Sequence, residues 1–281
     1  MGDHYLPRFY LKGFTSDECL WVYDQHKTLP FKSSPKSVAN ENNMYGEEIE
    51  QLLANQVEEP AKLAIEKIRK GHLPNAKDRE FLARYIINLW KRVPNGRDRV
   101  AARMPEVAEA VRKELHFTLD HLAQLGSEEE KQAHIKRKQI DEVLNQYIRT
   151  TPPEIWQASL IKGSSGQPES VLLDMNWHFL QSRDENFLTS DNPVFFFEQE
   201  GMGSDKAELT LPLSSKVCLW AHKLGNKYPD FYEAKPIAIK SINRRVAYNA
   251  TRFVYSAREA SWIMPFVKKA KSHEINRLTF L

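Results

Sequence analysis

The spacing of apolar residues changes period twice along this chain. Leu20-Trp21-Val22-Tyr23-Asp24 alternates large apolar and aromatic side chains, which predicts a strand. Thr28-Leu29-Pro30-Phe31 can pair back on it, and Ser33-Ser34-Pro35-Lys36 reads as a turn. From Glu47 the apolar positions Ile49, Leu52, Leu53 and Val57 recur at helical spacing. Pro60 kinks that helix or opens a second one, whose stripe of Leu63, Ala64 and Ile68 runs to Gly71. Asn75 is placed to cap the next helix, and Phe81, Leu82, Tyr85, Ile86, Leu89, Trp90 and Val93 give it the widest apolar face. Pro94-Asn95-Gly96 ends it. A long charged helix is predicted from Asp98 to Leu125, kinked at Pro105, and another from Gly126-Ser127 to Ile148. A short helix over Glu154 to Ile161 and a loop at Gly163-Ser164-Ser165-Gly166 follow.

The period then returns to two. Trp177 to Ser182 and Asn186 to Ser190 read as a hairpin about Arg183-Asp184-Glu185. Val194 to Phe197, Glu208 to Leu211 and Lys216 to Trp220 continue as strands. Ala238 to Tyr248 is helical, Phe253-Val254-Tyr255 extended, and Trp262 to Ala270 a last helix. Long blocks of one element type predict an α+β fold. The N-terminal strands are too few to stand alone, so they are expected to join the C-terminal strands in an antiparallel sheet. The expected organisation is a single domain over 1–281 with a helical insertion over 47–161.

Composition adds constraints. The 281 residues are 41% hydrophobic and 27% charged, an ordinary globular balance, with a formal net charge of +3. Between Pro60 and Thr150 there are 19 Lys+Arg against 13 Asp+Glu, a surplus that suits an anionic partner or a solvated helical surface. Cys19 and Cys218, each isolated, argue against a disulfide scaffold or a cysteine zinc site. The start lacks a secretory pattern, and Leu6 replaces the Ser or Thr that myristoylation of Gly2 wants. No apolar run is long enough to span a bilayer. The expected setting is cytoplasmic, without a membrane.

Two segments concentrate chemistry. His4-Tyr5-Leu6-Pro7-Arg8-Phe9-Tyr10-Leu11-Lys12-Gly13-Phe14 combines an imidazole, two cations and aromatics. If extended, it places His4, Leu6, Arg8 and Tyr10 on one face, where imidazole, guanidinium and phenol suit a phosphate. Thr189-Ser190-Asp191-Asn192-Pro193 is a strand end followed by a turn, where a carboxylate can hold a cation, position a water or orient a histidine. Ser-Asp-Asn-Pro is equally a good β-turn. His116 and His121 are five apart, off the spacing a helical metal pair needs, and His178 between two aromatics reads as structural. The sequence contains no His-Glu-x-x-His, nucleophile elbow, P-loop or Gly-x-Gly-x-x-Gly.

These segments, with Leu20 to Asp24, Asn40-Glu41-Asn42, Tyr45, Glu58-Glu59, Arg92-Val93-Pro94, Leu211-Pro212-Leu213-Ser214, Asn243 and Val254-Tyr255-Ser256, occur in an order that resembles domain-of-unknown-function family 4238 over nearly the whole chain. The resemblance implies no reaction, but nominates polar positions: His4, Asp24, Glu58 or Glu59, Arg92, Asp191, Asn192 and Asn243. Joined with the residue chemistry, the expectation is a metal-dependent, nuclease-like hydrolase of RNA or DNA, in the manner of a toxin or phage-defence effector. In it His4, Asp191 and Asn192 are catalytic, and Arg8, Tyr10, Lys12, Arg92 and Asn243 bind substrate. Asp24, Glu59 and Asp191 hold Mg²⁺ or Mn²⁺. The alternative is a non-catalytic module that binds nucleic acid or protein.

Overall fold

A computed structural model describes residues 3–42, 44–161, 167–197, 201–225, 228–272 and 274–278. The predicted loop at Gly163 to Gly166 lies outside them. The elements in chain order are β1 (Asp3–His4), α1 (Arg8–Leu11), which runs into a 3₁₀ turn at Lys12–Phe14, β2 (Leu20–Asp24), β3 (Phe31–Ser33) and β4 (Asn40–Glu41). Then come α2 (Glu47–Leu53), a π-helical turn at Ala54–Glu58, α3 (Glu59–Arg69), α4 (Ala76–Arg92), α5 (Pro94–Ala123), α6 (Ser127–Arg149), α7 (Pro153–Ile161) and α8 (Gln167–Leu173). The last block is β5 (Asn176–Gln181), β6 (Thr189–Ser190), β7 (Phe195–Phe196), β8 (Glu208–Pro212), β9 (Val217–His222), β10 (Phe231–Glu233), α9 (Pro236–Asn249), β11 (Phe253–Ser256) and α10 (Ile263–Lys268). This is an α+β fold with the helical block between two sets of strands. Among the described residues no helix is long and apolar enough to cross a membrane.

The chain divides into two compact units, Met1–Pro94 with Leu160–Leu281, and Asn95–Ser159. In the first unit, one sheet has the order β3-β2-β11-β6 and joins N-terminal to C-terminal strands. Tyr23 lies opposite Val254, and Val22 opposite Tyr255, in an antiparallel register. A second sheet, β10-β5-β9-β8-β7, holds C-terminal strands only, and its β10–β5 pair is parallel. α9 packs its Ile239, Ile242 and Val246 into a core shared with Leu180, Cys218 and Trp220. α4 begins with a reciprocal capping box in which Asn75 accepts from the Asp78 amide and Asp78 from the Asn75 amide. Leu82, Ile86 and Leu89 on its inner face are fully buried.

Four sequence expectations are corrected. Residues 177–190 do not form a hairpin, because β5 pairs with β9 and β10 while β6 pairs with β11 in the other sheet. The intervening turn, closed by the Ser182 hydroxyl on the Glu185 carbonyl, carries the chain from one sheet to the other. The stretch after Pro7 is helical rather than extended. Pro7 lies in an extended conformation, and its carbonyl accepts from the Tyr10 and Leu11 amides. Tyr10, Leu11 and Phe14 therefore bury at helical spacing, and Arg8 does not share a strand face with His4. Leu63 points to solvent at 54% exposure, with Ile65 buried in its place. The long helix begins at Pro94, the residue expected to stop its predecessor, since proline suits a first turn.

The second unit is built on α5 and α6. Met104, Ala108 and Leu119 of α5 are buried, as are Ala133 and Leu144 of α6. Arg112 of α5 donates to Asp141 and Asn145 of α6. This unit contains 10 Lys+Arg and 11 Asp+Glu, so the basic surplus of the helical block resides between Pro60 and Pro94, where 9 bases face 3 acids.

Candidate functional site

β1 is two residues long, and Pro7 ends the extended run that follows it. The strand is tied down from several sides. His4 pairs with Asn40 in β4. The Asp3 carboxylate accepts from the Tyr45 amide at 2.9 Å and the Gly46 amide at 3.1 Å, which fixes the start of α2 beside it. The Tyr45 hydroxyl donates to the His4 carbonyl at 2.6 Å. Arg92, at the end of α4, donates to the same carbonyl and to the Tyr45 hydroxyl. Its other terminal nitrogen donates to Glu58 at 2.5 Å.

Glu58 reaches Arg92 from the π-helical turn between α2 and α3. Such a turn inserts an extra residue into a helix, re-aims the side chains around it, and recurs at functional sites. Arg92 is only 1% exposed. Burial works against its charge, but Glu58, Tyr45 and Glu50 outweigh burial and hold the guanidinium protonated. Arg92 thus braces the backbone of His4 and has no terminal nitrogen left without a partner.

The His4 imidazole is free of that brace. Nε2 lies 3.2 Å from the Lys36 carbonyl. A carbonyl only accepts, so Nε2 carries the proton and Nδ1 holds the lone pair. Nδ1 has no hydrogen-bond partner among the described residues. Burial lowers the imidazole pKa, and the charges of Arg8 and Arg92 push the same way. The Lys36 carbonyl and Glu50 oppose them. His4 is therefore neutral at pH 7. Glu50 sits half-buried nearby, beside the Tyr45 hydroxyl. Arg8 is exposed. The result is a buried imidazole, 7% exposed, with one unpartnered nitrogen, beside a half-buried carboxylate and an exposed cation.

The Asp191 segment has a different structure. Asp191 follows β6 and is 3% exposed. One carboxylate oxygen accepts from the Thr251 amide at 2.8 Å, and the other from the Arg252 and Phe253 amides at 2.7 and 2.9 Å. Burial raises its pKa to about 6 against the opposing pull of those amides. Asn192 donates to the Asn249 carbonyl, and Asn249 donates back to the Asn192 carbonyl. Asn243 accepts from the Leu188 amide and donates to the Asn186 carbonyl. Asp24 takes both a 2.7 and a 3.0 Å bond from Arg252, which holds its carboxyl below the usual range.

The predicted residues are thus distributed over separate places. His4, Arg8 and Arg92 come together around β1. Asp24 and Asp191 meet at Arg252, whereas Glu59 stands apart on α3, exposed and paired with Lys62 at 3.2 Å. Tyr10 is buried, donating to the Pro212 carbonyl and bonded to the Thr189 hydroxyl. Lys12 is exposed at the end of α1. No hydrogen bond joins His4 to Asp191. Burial first, and the Asp191 charge after it, disfavour ionisation of Tyr5, the neighbour of His4. Among the described residues no three His, Cys, Asp or Glu side chains are grouped to hold a metal ion. Sequence reasoning passed over Glu50 and Arg252. Glu50 is one of three acids at the start of α2, where the helix dipole already accounts for them. Arg252 carried no spacing signal.

No curated protein and no solved structure matches the chain. The motif residues that converge on β1 lie within one family match. Residues 3–260 match the family described as protein of unknown function, DUF4238, and the chain belongs to that family.

Proposed function

We propose that the His4 site is the catalytic centre of a nuclease-like hydrolase that cleaves phosphodiester bonds. The observation that supports this best is the tautomer of His4: the Lys36 carbonyl holds the proton on Nε2 and leaves Nδ1 as a base in a neutral ring. In this reading Nδ1 takes a proton from water as the water oxygen attacks phosphorus. The phosphorus–oxygen bond to the leaving group then breaks, and that oxygen takes up the proton. Arg8 faces the phosphate, while Arg92 and Tyr45 position the His4 backbone. Mg²⁺ and Mn²⁺ are the ions to test, with Glu50 as the carboxylate whose charge acts on His4. The test is incubation of the purified protein with single-stranded RNA and DNA in EDTA, Mg²⁺ or Mn²⁺. Cleavage that disappears in His4→Gln supports the reading, and intact substrates in every condition sink it.

A non-catalytic binding module is favoured by a separate observation. Asp191, Asn192 and Asn243 all have their side chains on backbone groups. That leaves them a fold role and no open chemistry. The basic surplus gives this reading limited help. Of the cations between Pro60 and Pro94, Arg69 donates to the carbonyls of Leu213 and Tyr10, Lys67 pairs with Asp78, and Arg92 is buried. Salt-sensitive binding of nucleic acid without cleavage would select this reading.

A further inference from the structure

The most completely buried ion pair among the described residues serves neither reading. Glu208 of β8 and Arg245 of α9 meet at 2.6 Å, and each side chain is 1% exposed. A pair this deep needs hydrogen-bond partners, and among the described residues Arg245 finds them through one terminal nitrogen, while its Nε and other terminal nitrogen are buried without one. The partners the pair finds are backbone groups of one segment near the C-terminus. Arg245 donates to the Asn276 carbonyl at 2.7 Å, and Glu208 accepts from the Leu278 amide at 3.1 Å. The carbonyl of one residue and the amide two residues later are the two groups by which an extended strand meets a neighbouring strand. The ion pair occupies the place of that neighbour, with guanidinium as donor and carboxylate as acceptor.

Side-chain sockets accompany the backbone contacts. Leu278 is 3% exposed and joins the apolar core beneath α9. The Arg277 guanidinium lies 4.7 Å from the centroid of the Phe197 ring. Arg245 itself lies 5.2 Å and 5.4 Å from the Phe195 and Phe197 rings, which shield it from water. The segment borders a cavity on α9 lined by Ile237, Ser241 and Arg244. The family match ends at residue 260, so the docked segment lies outside it.

We propose that Glu208, Arg245 and Phe197 form a peptide-docking site for an extended segment with a cation followed by an apolar residue. Residues 274–278 of this chain are its resident, releasable occupant. Recognition combines strand-like backbone contacts with two side-chain sockets, the mode by which sheet edges take peptides.

The test uses the full chain carrying Arg277→Glu and Leu278→Asp, which sets acids against the Phe197 ring face and an apolar socket. Binding of a fluorescent, end-capped Glu274–Leu278 peptide is followed by anisotropy, and folding by thermal melt. The proposal expects saturable binding to the folded variant, at least tenfold weaker binding to wild type, and loss of at least tenfold when Arg245→Met is added. A folded variant that ignores the peptide overturns it, as does binding indifferent to Arg245→Met. A variant that fails to fold also overturns it, because the segment is then part of the core and not a ligand. Hydrogen exchange of the wild-type chain gives an independent check. The Leu278 amide must exchange through local opening, and exchange only by global unfolding contradicts a releasable occupant.

Discussion

His4 and Asp191 stand in the two most distinctive segments of the chain, and the structure uses them in opposite ways. Asp191 is enclosed by three backbone amides, so its oxygens bind the turn after α9 to the end of β6. His4 is held by its backbone, through Tyr45 and Arg92, while one ring nitrogen stays unpartnered. A polar residue whose side chain is satisfied by amides builds a fold. One whose main chain is braced while a ring nitrogen stays unpartnered is the candidate for chemistry. The type of residue and its motif do not separate these cases, but the partners do.

The contrast can be broken by substitution, beginning with the brace. Arg92→Met leaves the half-buried Glu58 without its cation and the buried His4 carbonyl without its donor, and should cost about 3–5 kcal/mol in chemical denaturation. A loss under about 1 kcal/mol would mean that the brace is dispensable. Asp191→Ala strips three amides of their acceptor and should cost about 3 kcal/mol, each buried unsatisfied amide contributing about 1 kcal/mol or more.

Titration separates the two residues by sign. Asp191 has its pKa raised to about 6, so the folded state binds its proton more tightly than the unfolded state. Its stabilising contribution is complete below the ordinary carboxyl value near about 4 and is lost as pH rises through about 6, to the extent of about 3 kcal/mol. His4 has its pKa lowered, so its contribution is present above the ordinary value of about 6.5 and falls as pH drops below it. Denaturation of Asp191→Asn across pH 4–7 should show its largest deficit from wild type at the acid end. A deficit that grows with pH would reverse the assignment. Smaller still, His4→Gln should shift stability by about 1 kcal/mol or less, because only one hydrogen bond to a carbonyl is replaced. Glu59→Ala, at an exposed pair, should lie within about 0.5 kcal/mol of wild type and leave any cleavage activity intact. Metal-dependent loss of activity in that variant would restore Glu59 to the site.

Much of the architecture was legible in the residues. The period change at Glu47, the Asn75 cap and the broad face of α4 each follow from local physics, and the structure has them. The pairing of β2 with β11 followed from counting strands too few to stand alone. The failures were non-local. Turn residues at Arg183 to Glu185 predict that the chain reverses, but not that its two arms enter different sheets. Aromatic density after His4 predicts burial, but the helical period of Tyr10, Leu11 and Phe14 reads as strand alternation over so short a run. The candidate site was legible in its residue types. Its partition into open and committed groups depends on amides 60 residues away, at Thr251 to Phe253, which no motif marks.

The central claim is that His4 acts through Nδ1, and the most direct measurement is cleavage of single-stranded RNA and DNA by His4→Gln beside Asp191→Asn, with the folded fraction of each fixed by thermal melt. The account predicts that the His4 variant melts near wild type and loses at least about a hundredfold in rate, the scale of a missing general base. It predicts that the Asp191 variant melts far lower and keeps its rate per folded molecule. A His4 variant that cleaves as well as wild type, or an Asp191 variant that stays stable and loses all activity, would contradict it.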